Sequence, residues 1–483
     1  MSRHTRDLTT GSIPRHLISF ALPMLAGTLL QAAYSFINAY WVGKYLGTTA
    51  LAAVTTSFPI FFILMALAGG LTLATSILIS QYVGAKNWTE VKRVVQGSTL
   101  LIIIVSFLLL LIGELIVVPI LRLMNTPPEV LPFAVAYLRI MLLTMPCSFG
   151  VFLVGAMMRG AGDSTTPVIF QGVSVVLTAI LDPVLMFGWL HLPRLGLNGT
   201  AVATVIAAAL ALAALLIHLE RACHLVAPDW RNLRVDWPNW ALTFKIGIPS
   251  VIQQSLASIG MIFVIGFVNG FGENAAASFG ATMRIDQLAI FPAMSVGMAV
   301  STLTGQNIGA GRYDRVHRIF IWGIALGVAL TLVASALAVG IPHQLMGMMV
   351  NDPAVIAIGV TYLRIIGACY VLFAITFAAN GVINGAGYTV VTTVSTFVSF
   401  ILVRAVLASI LCSIYHRVEM IWYAMAISFG TSLIISLGYY FTGHWKRALI
   451  RHSPIPAVGT EDNVCESPSP DLPSLLDSAP QLD

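Results

Sequence analysis

Gln81-Tyr82-Val83-Gly84-Ala85 returns, 225 residues further along the chain, as Gln306-Asn307-Ile308-Gly309-Ala310. The same offset lays Tyr137-Leu138-Arg139 on Tyr362-Leu363-Arg364, Gly160-Ala161-Gly162 on Gly385-Ala386-Gly387, Val173-Ser174 on Val398-Ser399, and Gly47 on Gly272. A register held over that length marks the duplication of a whole structural unit. The composition says what the unit is made of. Hydrophobic residues make up 58% of the 483 and charged residues only 9%, against about 25% charged in a soluble domain, and the mean hydropathy is +0.89.

Apolar stretches of roughly 20 residues or more, enough to cross about 30 Å of hydrocarbon as a helix, recur along almost the whole chain. They fall at 16–40, 50–82, 94–123, 131–158, 165–189, 196–219, 241–270, 275–308, 317–349, 355–384, 389–414 and 418–445. These are unbroken runs rather than the short alternating segments of a membrane barrel, and in lipid a helix satisfies its own backbone. The first run contains Pro23 and leads directly into the others, so it reads as a retained helix and not as a signal peptide.

Each copy then has six spans, an even number, so both copies enter the membrane with the same polarity and are related by an axis near its normal. The expected fold is an all-α polytopic membrane protein with twelve transmembrane helices in two pseudo-symmetric six-helix bundles. Its parts are an amino-terminal lobe at 1–220, a cytoplasmic linker at 221–245 carrying Pro228 and Pro238, a carboxy-terminal lobe at 246–447, and a disordered cytoplasmic tail at 448–483. The last stretch, 452–483, is rich in Pro, Ser, Asp and Glu and has no Lys or Arg, a composition that cannot bury a core.

With the N-terminus placed inside, the inner segments hold Arg3, Arg6, Arg15, Lys86, Lys92, Arg93, Arg159, Arg221, Arg231, Arg234, Lys245, Arg312, Arg315, Arg318, Lys446, Arg447 and Arg451. The outer loops hold Lys44, Arg122, Arg194 and Arg417. That bias follows the positive-inside rule and gives a multi-pass protein of the plasma (inner) membrane with both termini cytoplasmic. The net charge of +5 therefore reflects topology and contact with anionic lipid, not nucleic acid. Cys147, Cys223, Cys369, Cys412 and Cys465 form no CxxC pair and no His cluster, so neither a disulfide framework nor a metal site is expected. There is no GxxxxGK[ST] loop to bind a nucleotide, and no GxSxG or HExxH motif. The expectation is a transporter and not an enzyme, without a cofactor, acting as a monomer on small organic molecules.

An ionisable side chain at membrane depth costs roughly 2.5–3.5 kcal/mol on insertion scales and is a functional candidate by default. Glu114, Arg139, Asp182, Arg284, Asp286, Arg364 and Arg404 fall inside the spans. Arg139 and Arg364 are equivalent in the two copies and near the outer face, where snorkelling suffices; the others break the repeat. Asp182 is the leading candidate. It lies deep in the fifth span before Pro183, with no basic neighbour in the sequence, where a carboxylate can exchange a proton or a monovalent cation. Arg284 and Asp286 are two residues apart in the eighth span, hence on different faces. Arg404 is a candidate partner for Asp286 or for a substrate anion, and Glu114 a further candidate for the cavity. Pro23 and Pro249 occupy equivalent places in the first helix of each half, where a missing backbone hydrogen bond permits a hinge.

Taken together, Ala21-Leu22-Pro23, Gln81-Tyr82-Val83-Gly84-Ala85, Arg159-Gly160-Ala161-Gly162-Asp163, Leu181-Asp182-Pro183 and Gly305-Gln306-Asn307-Ile308-Gly309-Ala310 resemble the multidrug and toxic compound extrusion (MATE) transporters, in particular the bacterial branch that includes the DNA-damage-inducible members. The resemblance spans about residues 12–447. It implies a V-shaped pair of lobes that exports organic, often cationic, compounds in exchange for Na+ or H+. It places the ion-coupling aspartate at Asp182, its sixth-helix threonine at Thr204, and the helix-one bend at Pro23. Where the branch usually has an aspartate on helix one this chain has Asn38, and where it often has an asparagine one turn before the fifth-helix acid it has Thr178. One carboxylate in place of two holds a bare cation less well, which favours H+ over Na+ as the coupling ion. The alternative is a flippase for lipid-linked precursors from the related superfamily, which commonly has extra helices and a strongly cationic cavity.

Overall fold

The computed structural model describes residues 6–124, 126–189, 193–222 and 225–446. The first copy comprises α1 (Ile13–Tyr45), α2 (Gly47–Gly84), α3 (Trp88–Leu123), α4 (Leu131–Leu143), α5 (Met145–Gly160), α6 (Thr165–Phe187) and α7 (Leu197–Arg221). The second comprises α8 (Trp237–Asn269), α9 (Glu273–Gly309), α10 (Tyr313–Gly340), the short α11 (Pro342–Gly347), α12 (Pro353–Ala368), α13 (Tyr370–Gly385), α14 (Thr389–Thr396), α15 (Val406–Tyr415) and α16 (Glu419–Thr442). Phe397–Ala405 joins α14 to α15 as a π-helix. The tail at 448–483, with Cys465, and Cys223 lie outside the described residues.

Among the described residues 10 helices are long and apolar enough to span a membrane, α14 through α15 counting as one, and the bent pairs α4–α5 and α12–α13 bring the number to 12. The fourth and tenth spans, expected as single helices, are bent by 44° and 41°. The bends fall at Thr144 and Cys369, which are equivalent in the repeat. At each the backbone tightens to an i to i+3 bond, Thr144 N to Met141 O at 3.1 Å and Cys369 N to Ile366 O at 2.9 Å, as at the end of a helix. Pro146 follows only the first of them, so the bend belongs to the architecture and not to the proline. The helix expected to begin at 241 begins at Trp237. The Asp236 side chain accepts from Asn239 N at 3.2 Å, and Pro238 occupies the first turn, where its missing N–H is no loss.

Side chains such as Phe107, Leu108, Leu111 and Leu115 on α3 are more than half exposed, an apolar surface that lipid tolerates and water does not. The buried apolar residues form three clusters. One lies within the amino-terminal lobe and takes in Ile246 from α8. Another lies within the carboxy-terminal lobe, around Trp422, Tyr362 and Tyr370. The third joins Leu8, Ile13, Leu17, Phe20, Ala21 and Met24 to Val296, Val300, Leu303, Ile319 and Trp445 of the opposite lobe. Each copy's first helix therefore begins against the other lobe: α1 against α9 and α10, and α8 against α2 and α3, where Trp240 Nε1 donates to Gly97 O at 2.8 Å. Each also packs on its own lobe, with Gly27 of α1 against Val168 and Gln171 of α6 and Pro249 O of α8 accepting from Thr393 at 2.7 Å. Helix α1 runs unbroken through Pro23.

The motif that revealed the repeat forms the seam between the lobes, at the end of the bundle where Lys86, Arg159, Arg312 and Arg315 gather. Gly84 and Gly309 lie on each other's helix: a Cβ at Gly84 would meet Gln306 O at 1.9 Å, and one at Gly309 would meet Gln81 O at 1.9 Å. Only glycine allows this approach. Gln81 Nε2 crosses to donate to Gly385 O at 2.8 Å, and Gln306 Nε2 crosses the other way to Gly160 O at 3.1 Å. Donor and acceptor are repeat-equivalent in both bonds, so the pseudo-twofold axis passes through this seam.

Candidate functional site

Asp182 sits on α6 and is 1% exposed. Its Oδ2 accepts from the Asn38 side-chain amide at 3.0 Å and from the Tyr34 hydroxyl at 3.1 Å, and the Asn38 amide also reaches the Tyr34 oxygen at 3.1 Å. Tyr34 and Asn38 are four residues apart on α1 and so share a face. Asp182 Oδ1 is buried without a hydrogen-bond partner. Neither oxygen meets a Lys or Arg among the described residues. The carboxylate thus has two neutral donors on one oxygen and an uncommitted second oxygen, an arrangement able to take a proton or a small cation. A fully paired carboxylate could do neither without first losing a partner.

Of the other residues expected here, Asn38 is in direct contact. Thr204 on α7 stands near the Tyr34 hydroxyl, but its own hydroxyl donates to Thr200 O at 2.9 Å. Thr178 is buried one turn before Asp182, but its hydroxyl is turned back onto Ser174 O at 2.8 Å, the usual local bond of a helical threonine. Tyr34 was not anticipated from sequence. Its signal is the four-residue spacing to Asn38, which places both on one face of α1. Tyr137 on α4, noticed only as a landmark of the repeat, is close enough to feel the Asp182 charge.

The carboxy-terminal lobe holds a different arrangement. Asp286 on α9 is buried, and its oxygens accept from two hydroxyls, Tyr362 on α12 and Tyr370 on α13, each at 2.5 Å. Tyr362 is the repeat equivalent of Tyr137, so one tyrosine position serves both lobes although the acids lie on non-equivalent helices.

Arg404 does not pair with Asp286. It is 3% exposed, its Nε donates to Ser428 Oγ at 2.9 Å, and its guanidinium lies over the rings of Phe400 at 3.9 Å and Phe429 at 4.7 Å. Aromatic faces replace the carboxylate as its counter-charge. It lies in the π-helical stretch Phe397–Ala405. Arg284 is on an exposed face of α9, away from Asp286. Glu114 is half-exposed and forms an ion pair with Arg139 Nε at 3.3 Å across α3 and α4, at the surface rather than in a buried site.

The model of the MatE family matches residues 23–184 and again 249–410, the two copies found by the internal offset. The chain is 32% identical over 452 residues to "Probable multidrug resistance protein YoeA" of Bacillus subtilis, covering 92% of this chain and 97% of that one. It is 29% identical over 440 residues to "Probable multidrug resistance protein YpnP" of the same organism, covering 91% and 97%. Among solved structures it is similar to a MOP superfamily transporter from Pyrococcus furiosus, with a TM-score of 0.84 at 22% identity over 91% of this chain and 98% of that one. Neither Bacillus relative is described as a flippase of lipid-linked precursors. Two matched family halves, laid on two bundles that meet through a duplicated glycine seam, make the chain a member of the MatE family, the multidrug and toxic compound extrusion transporters.

Proposed function

We propose that the chain is a secondary active antiporter that exports organic, often cationic, compounds in exchange for H+ or Na+ by alternating access, with Asp182 as the ion-exchanging group. The observation that carries this reading is the Asp182 carboxylate itself, buried, without a basic partner among the described residues and with one oxygen uncommitted. Substrate and ion compete by charge: while Asp182 is ionised it favours an organic cation between the lobes, and a proton or Na+ arriving on Oδ1 removes that attraction and releases the cargo. Asn38 in place of a second acid leaves a single negative charge, which favours H+. The positive-inside bias puts the basic end in the cytoplasm of the inner membrane, so the seam of Gln81, Gly84, Gln306 and Gly309 closes the cytoplasmic side and cargo leaves on the other. The lobes at 1–220 and 246–447 move as units, as a monomer in lipid, driven by the coupling ion alone.

The test is drug susceptibility in a host stripped of its own efflux pumps. Wild type is expected to protect, and Asp182→Asn, at equal membrane abundance, is expected to give no more protection than an empty vector. Equal protection by both chains contradicts the assignment.

A further inference from the structure

Ahead of α1, residues 6–11 do not trail into solvent. Leu8 is 1% exposed and Thr9 7%, so this irregular segment is tied down although it belongs to no helix. The ties go to both lobes. On the amino-terminal side Arg6 N donates to Ala161 O at 3.3 Å, beside Gly162, whose missing side chain leaves room for the Arg6 carbonyl. On the carboxy-terminal side Leu8 N donates to Gln306 Oε1 at 3.0 Å and Asn307 Nδ2 donates to Leu8 O at 3.2 Å. There too Arg312 donates to Thr9 O at 2.7 Å and Arg315 to Gly11 O at 3.2 Å.

Gln306 is the side chain that also crosses to Gly160 O, so the strand is built onto the seam itself. Asp7 shapes it, accepting from Thr9 N at 2.8 Å and from the Thr9 hydroxyl. Burial alone would raise the Asp7 carboxyl, but the Thr9 hydrogen bonds and the nearby Lys86 charge outweigh it and hold it below the usual carboxylate range. The turn therefore keeps its charge at neutral pH.

The repeat offers a control. The residues equivalent to 6–11 are 231–236, and they take no such place: Asn232, Arg234, Val235 and Asp236 line a groove with Arg93 and Gln96 of α3. The strand is an addition to one half of a duplicated scaffold, not a consequence of the duplication.

We infer that residues 6–11 are a latch that holds the lobes together at the basic end and is released from one lobe each time that end opens. This rests on the alternating-access reading above. Opening separates Gly84 from Gln306, and the strand cannot then keep both sets of bonds. One backbone bond ties it to the amino-terminal lobe and several, two of them from arginines, tie it to the other, so it leaves Ala161 and travels with Gln306. Its strength sets how often the basic end opens.

The test places spin labels at Trp88→Cys and Asp314→Cys, exposed positions at the basic ends of α3 and α10, in a full-length chain whose five native cysteines are replaced by serine. Distance distributions are compared for this parent, for deletion of residues 2–11, and for Arg312→Ala with Arg315→Ala. The parent is expected to show mainly the short distance of the closed seam. Both variants are expected to raise the ratio of long to short distances about tenfold, equivalent to roughly 1.4 kcal/mol. If the deletion does not give monodisperse protein the double substitution alone decides, and a distribution unchanged from the parent in that variant overturns the latch. A distance readout also separates this claim from the transport assignment: if drug shifts the distances while the drug-free distributions of parent and variant coincide, exchange stands and the latch falls. If the variants shift them without any response to drug, the latch stands and the exchange reading falls.

Discussion

Each lobe buries one aspartate in a helical bundle, and the two are treated in opposite ways. Asp286 has a tyrosine hydroxyl at 2.5 Å on each oxygen, contributed by α12 and α13, so each oxygen has a donor from within its own lobe. Asp182 has both donors on Oδ2 and none on Oδ1, and those donors come from α1, the helix whose other end rests on the opposite lobe. The difference teaches that burial alone does not mark a working acid. The satisfied carboxylate fastens helices together, while the half-satisfied one keeps room for a traveller and is coupled to an element that spans both lobes.

If that contrast is right, the largest effect on stability should follow from Asp286→Leu. Two tyrosine hydroxyls would be left buried without partners at about 1–3 kcal/mol each, seen as a lower melting temperature in detergent, while the membrane-inserted fraction keeps ion-driven efflux. Loss of transport without loss of stability would reverse the roles of the two acids. Next is Tyr34→Phe, which removes one of the two donors on Asp182. A single hydrogen bond to a charged group is worth about 1.5–3 kcal/mol, and we expect efflux in proteoliposomes to fall roughly tenfold or more with little change in melting temperature. An unaltered rate would show that the α1 donors are incidental.

Asn38→Asp sharpens the comparison from the other direction, placing a second carboxylate within reach of the first. Two negative charges hold a bare cation better than one, so efflux driven by a Na+ gradient is expected to rise relative to efflux driven by a pH gradient. An unchanged preference would mean that charge count at this site does not choose the ion. The smallest effect belongs to Glu114→Gln. Its pairing with Arg139 is half-exposed and worth no more than about 1 kcal/mol, so drug resistance and melting temperature should both stay close to wild type.

Much of this was legible in the residues. The long apolar runs, the basic asymmetry and the 225-residue offset led to two six-span bundles, because lipid leaves a chain few alternatives to the helix. Asp182 was legible because charge in hydrocarbon is conspicuous. Tyr34 and Tyr370 were not, since aromatics are plentiful in such a chain and neither has a tyrosine at the equivalent place in the other copy, where Ile259 and Met145 stand. Of the two partners expected for Arg404, Asp286 or a substrate anion, Asp286 is taken up by tyrosines instead, and aromatic rings lie against the Arg404 guanidinium, a pairing that sequence does not reveal. The repeated glycines Gly84 and Gly309 were visible as landmarks of the offset, but an offset says which positions are equivalent and not which ones touch, so the contact of Gly84 with Gln306 was not legible. Leu8 stood in a short polar segment, where one apolar residue carries no pattern.

The central claim is that Asp182 loads and unloads the driving ion, and the most direct measurement is efflux of a cationic dye from proteoliposomes under an imposed pH gradient and, separately, an imposed Na+ gradient, for wild type and Asp182→Asn. The account predicts that wild type moves dye faster under the pH gradient than without a gradient, and that Asp182→Asn, correctly inserted, moves it no faster with either gradient than without. Gradient-driven efflux by Asp182→Asn at the wild-type rate would contradict it.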